Sequence, residues 1–308
     1  MPLERSLKTE SVVLEKLTKD AWFIGSKEEI ALKEKIERIG KPLKDWDVKI
    51  YYGIKTGLNE AFIITTEKRN EILANCKDEE ERKRTEAIIK PILRGKDIKR
   101  YYYEWDDLWV IVIPAGWTNA NRGNEKAEVF IDKTFPSLMN YLKHFETKAK
   151  IRSDKGDYWW ELRKCAYYSA FEKEKVIYPN MSNRLMAVWD NEKFFANQKC
   201  FIITGERTKF ITALFNSEVE FWYFKKIGAT LGRNGYEMSK IFIENLPIPP
   251  ITHQNKHIVS QIETLVDKII KAKKDNFEAK TSHFEKNIDK LVYKLYDLTE
   301  DEVKIVSS

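Results

Sequence analysis

Two apolar stripes near the C-terminus constrain this chain most. Ile258, Ile262, Leu265, Val266, Ile269 and Ile270 recur at helical spacing. Phe284, Ile288, Leu291, Val292, Leu295 and Tyr296 repeat that spacing 26 residues later. At about 100° per residue the two stripes fall roughly 80° apart on one straight helix, so such a helix cannot bury both. A hinge near KAKKDNFEAK (residues 271–280) reconciles them, as a hairpin or as a bent helix. Thr299 and Glu302 then fit a capping box for a last short helix. The arm so formed packs on its own core, or on another domain or chain; both readings are open.

Residues 11–39 also read as helical. Val13, Leu14, Leu17 and Trp22 mark a first piece, and Ile30, Ile36 and Ile39 a second. Ser26 with Glu29 fits a capping box for the second piece, and Gly40-Lys41-Pro42 stops it. Between these ends the text is mixed. Phe62–Thr66, Trp109–Ile113, Val176–Tyr178 and Phe201–Thr204 are short β-branched or aromatic runs that predict strands. Glu79–Ile89 and Phe210–Lys225 predict helices. Strands and helices do not alternate at βαβ spacing, and no glycine-rich phosphate loop occurs. The expected fold class is α+β: a mixed, mainly antiparallel sheet domain over residues 46–250. An N-terminal helical segment (1–45) and a C-terminal helical arm (251–308) flank it.

Charge sharpens this division. The formal net charge is +6. Cations and anions balance in residues 1–40 and 254–308, so the excess lies in residues 41–253, where 36 Lys and Arg face 30 Asp and Glu. That stretch holds 11 of the 13 arginines, the side chain suited to phosphates and guanine edges. Aromatic residues make up 13%, too many for a disordered chain. No run of about 18 apolar residues predicts a membrane span, and the N-terminal MPLERSLKTE has no signal-peptide core. Cys76, Cys165 and Cys200 are too scattered for a metal site or a disulfide framework, which suits a reducing compartment and leads us to expect a cytoplasmic protein. His253 and His257 are helically spaced, but without the zinc-protease glutamate they read as a surface pair.

Catalytic signatures are missing from the text. There is no P-loop, no Gly-x-Ser-x-Gly elbow and no Pro-Asp step to open a metal-dependent nuclease motif. Binding signatures are more evident. Gly53-Ile54-Lys55-Thr56-Gly57-Leu58-Asn59 reads as a tight loop offering Lys55, Thr56, Asn59 and backbone N–H groups to a phosphate or base edge, or as a plain hairpin turn. Arg94, Lys96, Lys99 and Arg100 place four cations in seven residues ahead of Tyr101-Tyr102-Tyr103, with Asp97 diluting them. The tyrosines would alternate across a strand, one buried and two half-exposed. Arg152, Lys155 and Arg163 bracket Tyr158-Trp159-Trp160, where at least one tryptophan should anchor the core. Arg233 and Asn234 stand at the tip of the turn Leu231–Tyr236, where Asn-Gly also occurs for purely structural reasons.

Taken in order, these segments resemble the C-terminal target-recognition (specificity) domain of the TaqI-like adenine-specific DNA methyltransferases, in particular the fused type IIG restriction–modification enzymes. The resemblance rests on Gly53–Phe62, Ile89-Lys90-Pro91-Ile92-Leu93-Arg94-Gly95-Lys96-Asp97-Ile98 and Tyr158–Arg163. It continues through Lys175–Pro179, Leu214–Ser217 and Glu244–Pro249 to a tail like Ile288–Tyr296, and covers the chain from about residue 46.

The resemblance implies a DNA-reading part whose catalytic half binds S-adenosylmethionine and methylates the N6 of an adenine flipped from the duplex. The family's Asn-Pro-Pro-Tyr/Phe hallmark is missing, for the sole Pro-Pro is Pro249-Pro250, preceded by Ile248. The chain alone should therefore bind no cofactor and transfer no methyl group. The expected partners are double-stranded DNA and a methyltransferase domain, fused upstream or separate, and no membrane. Because recognition loops vary within such families, Asn119, Asn121, Arg122, Asn124, Asn183 and Arg184 compete with the shared motifs as base readers. The alternative is a protein-interaction scaffold built on the helical arm and exposed rings. An enzyme with an unrecognised site in the aromatic-rich middle is a third reading.

Overall fold

A computed structural model describes residues 25–232 and 235–307. The first part (11–24) of the helical stretch expected over residues 11–39, and Arg233 and Asn234, lie outside them. The chain forms two compact units. One, here the central unit, comprises Lys49–Asn180 and Met186–Thr208; the other takes the chain up to Val48, Met181–Leu185 and the chain from Lys209 onward.

Two four-stranded sheets build the central unit, with strands numbered within it: β1 Val48–Tyr52, β2 Ile63–Thr65, β3 Ile89–Leu93, β4 Leu108–Ile111, β5 Lys175–Pro179, β6 Val188–Asp190, β7 Phe195–Ala196 and β8 Cys200–Gly205. Their orders are β1-β8-β5-β6 and β2-β4-β3-β7. Pairing is antiparallel between β8 and β5, β5 and β6, β2 and β4, and β3 and β4, and parallel between β3 and β7. Every residue of β5 is buried, which explains why it reads as a continuous apolar run and not as an alternation. Its one cation, Lys175, is tolerated because the ammonium donates to Asp190 and to the carbonyl oxygens of Phe171 (2.7 Å) and Lys173 (3.2 Å). Phe62, Ile92, Val110, Trp160, Phe171, Ile177 and Phe195 share one core. Each such side chain contributes about 1.5–3 kcal/mol when fully buried.

Local chemistry moves several expected boundaries. Phe62 closes a helical turn, Asn59–Phe62, and the strand starts after it. The helix from Glu79 ends at Ile88, because Ile89 joins the sheet opposite Ile111. The helix expected over Phe210–Lys225 is two, Thr208–Phe215 and Glu218–Ile227. They break where the Asn216 amide donates to Thr212 O and Ser217 Oγ accepts from Glu220 N, capping the second helix. The three tyrosines do not form a strand. Tyr101 sits at φ +68° and is the buried one, while Tyr102 and Tyr103 are half-exposed.

The other unit is mainly helical. Ser26 and Glu29 cap Lys27–Ile39 reciprocally, and Thr299 and Glu302 cap Glu300–Val306 in the same way. The C-terminal stripes lie on Lys256–Asp275 and Ser282–Leu295, which pack together as a hairpin across residues 276–281. Val259 takes the fully buried place expected of Ile258; Leu265 and Ile270 are half-buried. Two small antiparallel sheets complete the unit: Ala229–Leu231, Gly235–Glu237 and Met181–Ser182 in one, and Lys41–Pro42 with Pro247–Ile248 in the other. Among the described residues no helix is long and apolar enough to cross a membrane.

Candidate nucleic-acid interface

Two loops of the central unit are joined from beneath by one arginine. Arg152 is only 7% exposed. Its guanidinium donates to Thr56 O (2.9 Å), Trp159 O (3.1 Å) and Glu161 O, and lies 4.1 Å from the centre of the Phe62 ring. Burial pulls its pKa down to about 10, so it remains a cation at neutral pH. Arg152, which the sequence offered as a DNA contact, is turned inward as a brace between loops. Thr56, 1% exposed, is also turned inward: its hydroxyl donates to Asn59 Oδ1 (2.6 Å) and accepts from Leu58 N (3.3 Å). Gly57, at φ +70°, brings the first loop against Asp154, where a Cβ would meet the Asp154 Cβ at 2.8 Å.

Above this brace lies a charged surface. Lys55 Nζ is 2.9 Å from Asp154 Oδ2, and Arg163 Nη1 reaches Asp154 Oδ1 at 3.5 Å. The Lys55 hydrogen bond leads in holding the Asp154 carboxyl below the usual range, with Arg163 adding to it. Two cations thus share one anion. Exposed Lys155 donates to Arg152 O (3.2 Å), and Asn59 is also exposed.

A buried carboxylate organises the adjoining turns. Glu161 accepts from Gly116 N (3.1 Å), Thr118 N (2.9 Å) and Asp157 N (2.9 Å). Both Trp159 and Trp160 are buried, and the Trp160 indole donates to Thr118 Oγ1 (2.9 Å). The Tyr158 ring stacks on Trp160 at 4.8 Å, and its hydroxyl donates to Asn119 Oδ1 (2.8 Å). Arg122 Nε donates to the same oxygen (2.9 Å), and the Asn119 amide donates to Asp157 (2.8 Å). Asn121 donates to Trp117 O (2.7 Å). Asn119, Asn121, Arg122 and exposed Asn124 are thus presented from a fixed turn.

The second basic segment is largely answered by its own acids. Arg94 forks onto Asp97 (3.1 and 3.0 Å) and also reaches Asp106. Lys96 pairs with Asp106 (3.0 Å) and Lys99 with Glu104 (3.3 Å). Arg100 is half-buried. The sequence shows Asp97 diluting these cations; the fold adds Asp106 and Glu104, which lie beyond the segment. Arg184 belongs to the helical unit, where it pairs with Glu218 (3.2 Å) and lies 5.1 Å from the Phe221 ring centre; Asn183 precedes it. The structure therefore gathers Lys55, Asn59, Lys155 and Arg163, and leaves Arg184 in the other unit.

One feature of the central unit went unread in the sequence. A cleft of about 440 Å³ is lined by Tyr52, Lys55, Arg163, Tyr167, Tyr168, Gln198 and Lys199, among others. Every charged side chain lining it is a cation. Gly53 lets β1 approach the turn before β8, for a Cβ there would meet Asn197 O at 1.8 Å. Burial pushes the Tyr167 hydroxyl up to about 12 and raises the Cys165 thiol, so both stay protonated at neutral pH. The only sequence signal was the pair of dipeptides Tyr51-Tyr52 and Tyr167-Tyr168, which lie far apart in the chain. The helical unit holds a groove of about 520 Å³ lined by Leu265, Lys268, Lys290, Leu291 and Lys294, among others. Among the described residues no cluster of three or more His, Cys, Asp or Glu side chains is placed to hold a metal.

Comparison with known proteins gives this geometry a context. The sequence profile of the TaqI-like C-terminal specificity domain matches residues 90–248. No curated protein matches the sequence. Among solved structures, the fold is similar to part of the type IIL restriction-modification enzyme MmeI, determined in complex with DNA. The TM-score is 0.59 at 14% identity, covering 87% of this chain and 35% of that one. The type IIG restriction endonuclease BpuSI aligns with a TM-score of 0.47 at 15% identity, covering 88% of this chain and 34% of that one. The chain spans about a third of the length of each.

Proposed function

Because the chain belongs to the TaqI-like C-terminal specificity domain family, we propose that its central unit reads double-stranded DNA and directs a catalytic partner to its site. The observation that carries this reading is the Arg152 brace. It fixes the first loop to the segment 152–163, so Lys55, Lys155 and Arg163 form one preorganised cationic surface. Preorganised cations neutralise phosphates and set register. The neighbouring turn then presents Asn119, Asn121, Arg122 and Asn124 for base edges, Asn suiting adenine and Arg suiting guanine. Similarity to part of an enzyme solved on DNA supports the same reading.

The catalytic half that this domain would serve is an adenine-N6 methyltransferase using S-adenosylmethionine, in the cytoplasm. The residues of the cleft do not fit that cofactor, because Lys55, Arg163 and Lys199 would repel its sulfonium cation. The cofactor is accordingly assigned to the partner.

Duplex binding by the whole chain, followed by fluorescence anisotropy, tests the reading. Affinity should fall steeply between about 50 and 200 mM salt, with a log–log slope near 0.9 per neutralised phosphate. Charge reversal of Lys55, Lys155 and Arg163 together should flatten that slope. An absence of duplex binding at about 50 mM salt, in protein shown to be folded, would overturn it.

A further inference from the structure

The cleft beside Lys55 has more in it than a phosphate requires. Its volume of about 440 Å³ lies within the range of pockets that hold organic ligands, about 300–1,000 Å³. Three of its lining residues are tyrosines, and a phosphate makes no use of rings. Tyr52 is 57% exposed although it is large and aromatic. Its ring lies against Phe201 at 4.7 Å and a tilt of 43°, and Phe201 stacks on Tyr178 at 5.2 Å. Tyr167 stacks on Tyr51, at 4.6 Å and 20°. Two tyrosines of one cleft are thus held by rings behind them. Lys199 is exposed and makes no ion pair among the described residues, while Lys55 and Arg163 share Asp154. The Gln198 side chain supplies an amide donor and acceptor at the same lining.

We propose that this cleft takes a nucleotide that has left the base stack. Its base stacks on the exposed Tyr52 ring, and its flanking phosphates lie on Lys199, Lys55 and Arg163. Bases within an intact duplex have both faces covered by their neighbours, so a ring platform is matched to a base in a single strand or one drawn out of the helix. The inference rests on the reading of the central unit as DNA-binding.

The test uses the whole chain and three labelled probes: an eight-nucleotide thymidine strand, an abasic strand with the same number of phosphates, and an intact duplex. The thymidine strand should bind about tenfold tighter than the abasic one, the expected worth of one stacked base. Tyr52→Ala should abolish that difference and Tyr52→Phe should keep it. Lys199→Glu should weaken both strands alike, because it replaces a phosphate contact with a repulsion that both strands feel. Equal binding of the two strands by folded wild-type protein, or a difference that survives Tyr52→Ala, overturns the proposal. Duplex binding without a preference between the strands sinks the cleft alone. Failure of every probe at low salt sinks the DNA reading beneath it as well.

Discussion

Tyr296 and Glu220 meet through their oxygens at full burial, and the Tyr296 hydroxyl also lies 2.5 Å from the carbonyl oxygen of Pro247. A carbonyl only accepts, so the single tyrosine proton goes to Pro247. The contact with Glu220 then needs a proton from the carboxyl group. Burial agrees: it pushes the Glu220 carboxyl up to about 8, and Oε2 has no hydrogen-bond partner among the described residues.

Stability should therefore depend on pH in a stated direction. The folded-state value of about 8 lies above the ordinary 4.5, so the folded form binds the extra proton. The stabilisation is complete below about pH 4.5, falls as pH rises toward 8 and levels off beyond. Glu220→Gln keeps a donor for Tyr296 and cannot ionise. Its melting temperature should exceed the wild type's at pH 8, by an amount reflecting a few kcal/mol. A wild-type profile as flat as the variant's between pH 5 and 8 would contradict this.

Arg152→Ala should cost about 3 kcal/mol or more, since three carbonyl oxygens lose a charged donor. Arg152→Lys keeps the charge but cannot span all three, and should recover only part of the loss. Urea denaturation of both variants reads this ranking. Equal stability of wild type and Arg152→Ala would show that the loops hold without their brace.

Asp154→Asn should strengthen duplex binding. Asp154 offsets Lys55 and Arg163, and its removal adds one positive charge at the proposed interface. Affinity should rise severalfold regardless of sequence, and the salt slope should steepen by up to about 0.9. Weaker, sequence-selective binding would instead make Asp154 a base reader, accepting from cytosine N4.

Glu161→Gln replaces one acceptor oxygen with an amide that faces backbone N–H groups. Glu161 serves Gly116, Thr118 and Asp157, so at least one donor loses its partner. A loss of about 1–3 kcal/mol follows. Amide exchange of Thr118 should rise along with it; a variant that melts like wild type with Thr118 still protected would refute the assignment.

What the sequence disclosed depended on how local each signal was. The pairs Ser26–Glu29 and Thr299–Glu302 act within one turn, and their spacing alone announced both caps. The hinge in the C-terminal arm followed from counting residues around a helix. Arg152 and Lys155 stand three apart in the same basic segment, and nothing in their spacing tells which one turns inward. That depends on carbonyl oxygens near residues 56, 159 and 161. Asp106 lies outside the segment whose cations it answers. Tyr52 ends β1 and Tyr167 sits in the turn before Tyr168–Phe171, so only the tertiary fold brings them to one cleft.

The short excursion Met181–Leu185 has a practical meaning for anyone who would alter specificity by exchanging modules. Met181 pairs with Glu237 in the three-stranded sheet of the helical unit and Arg184 meets Glu218, although the chain on either side belongs to the central unit. A chimera cut simply at residues 48 and 208 would import five foreign positions, two of them into a sheet they did not evolve with. A workable graft leaves those five residues native, or brings in a matching 218 and 237 with them.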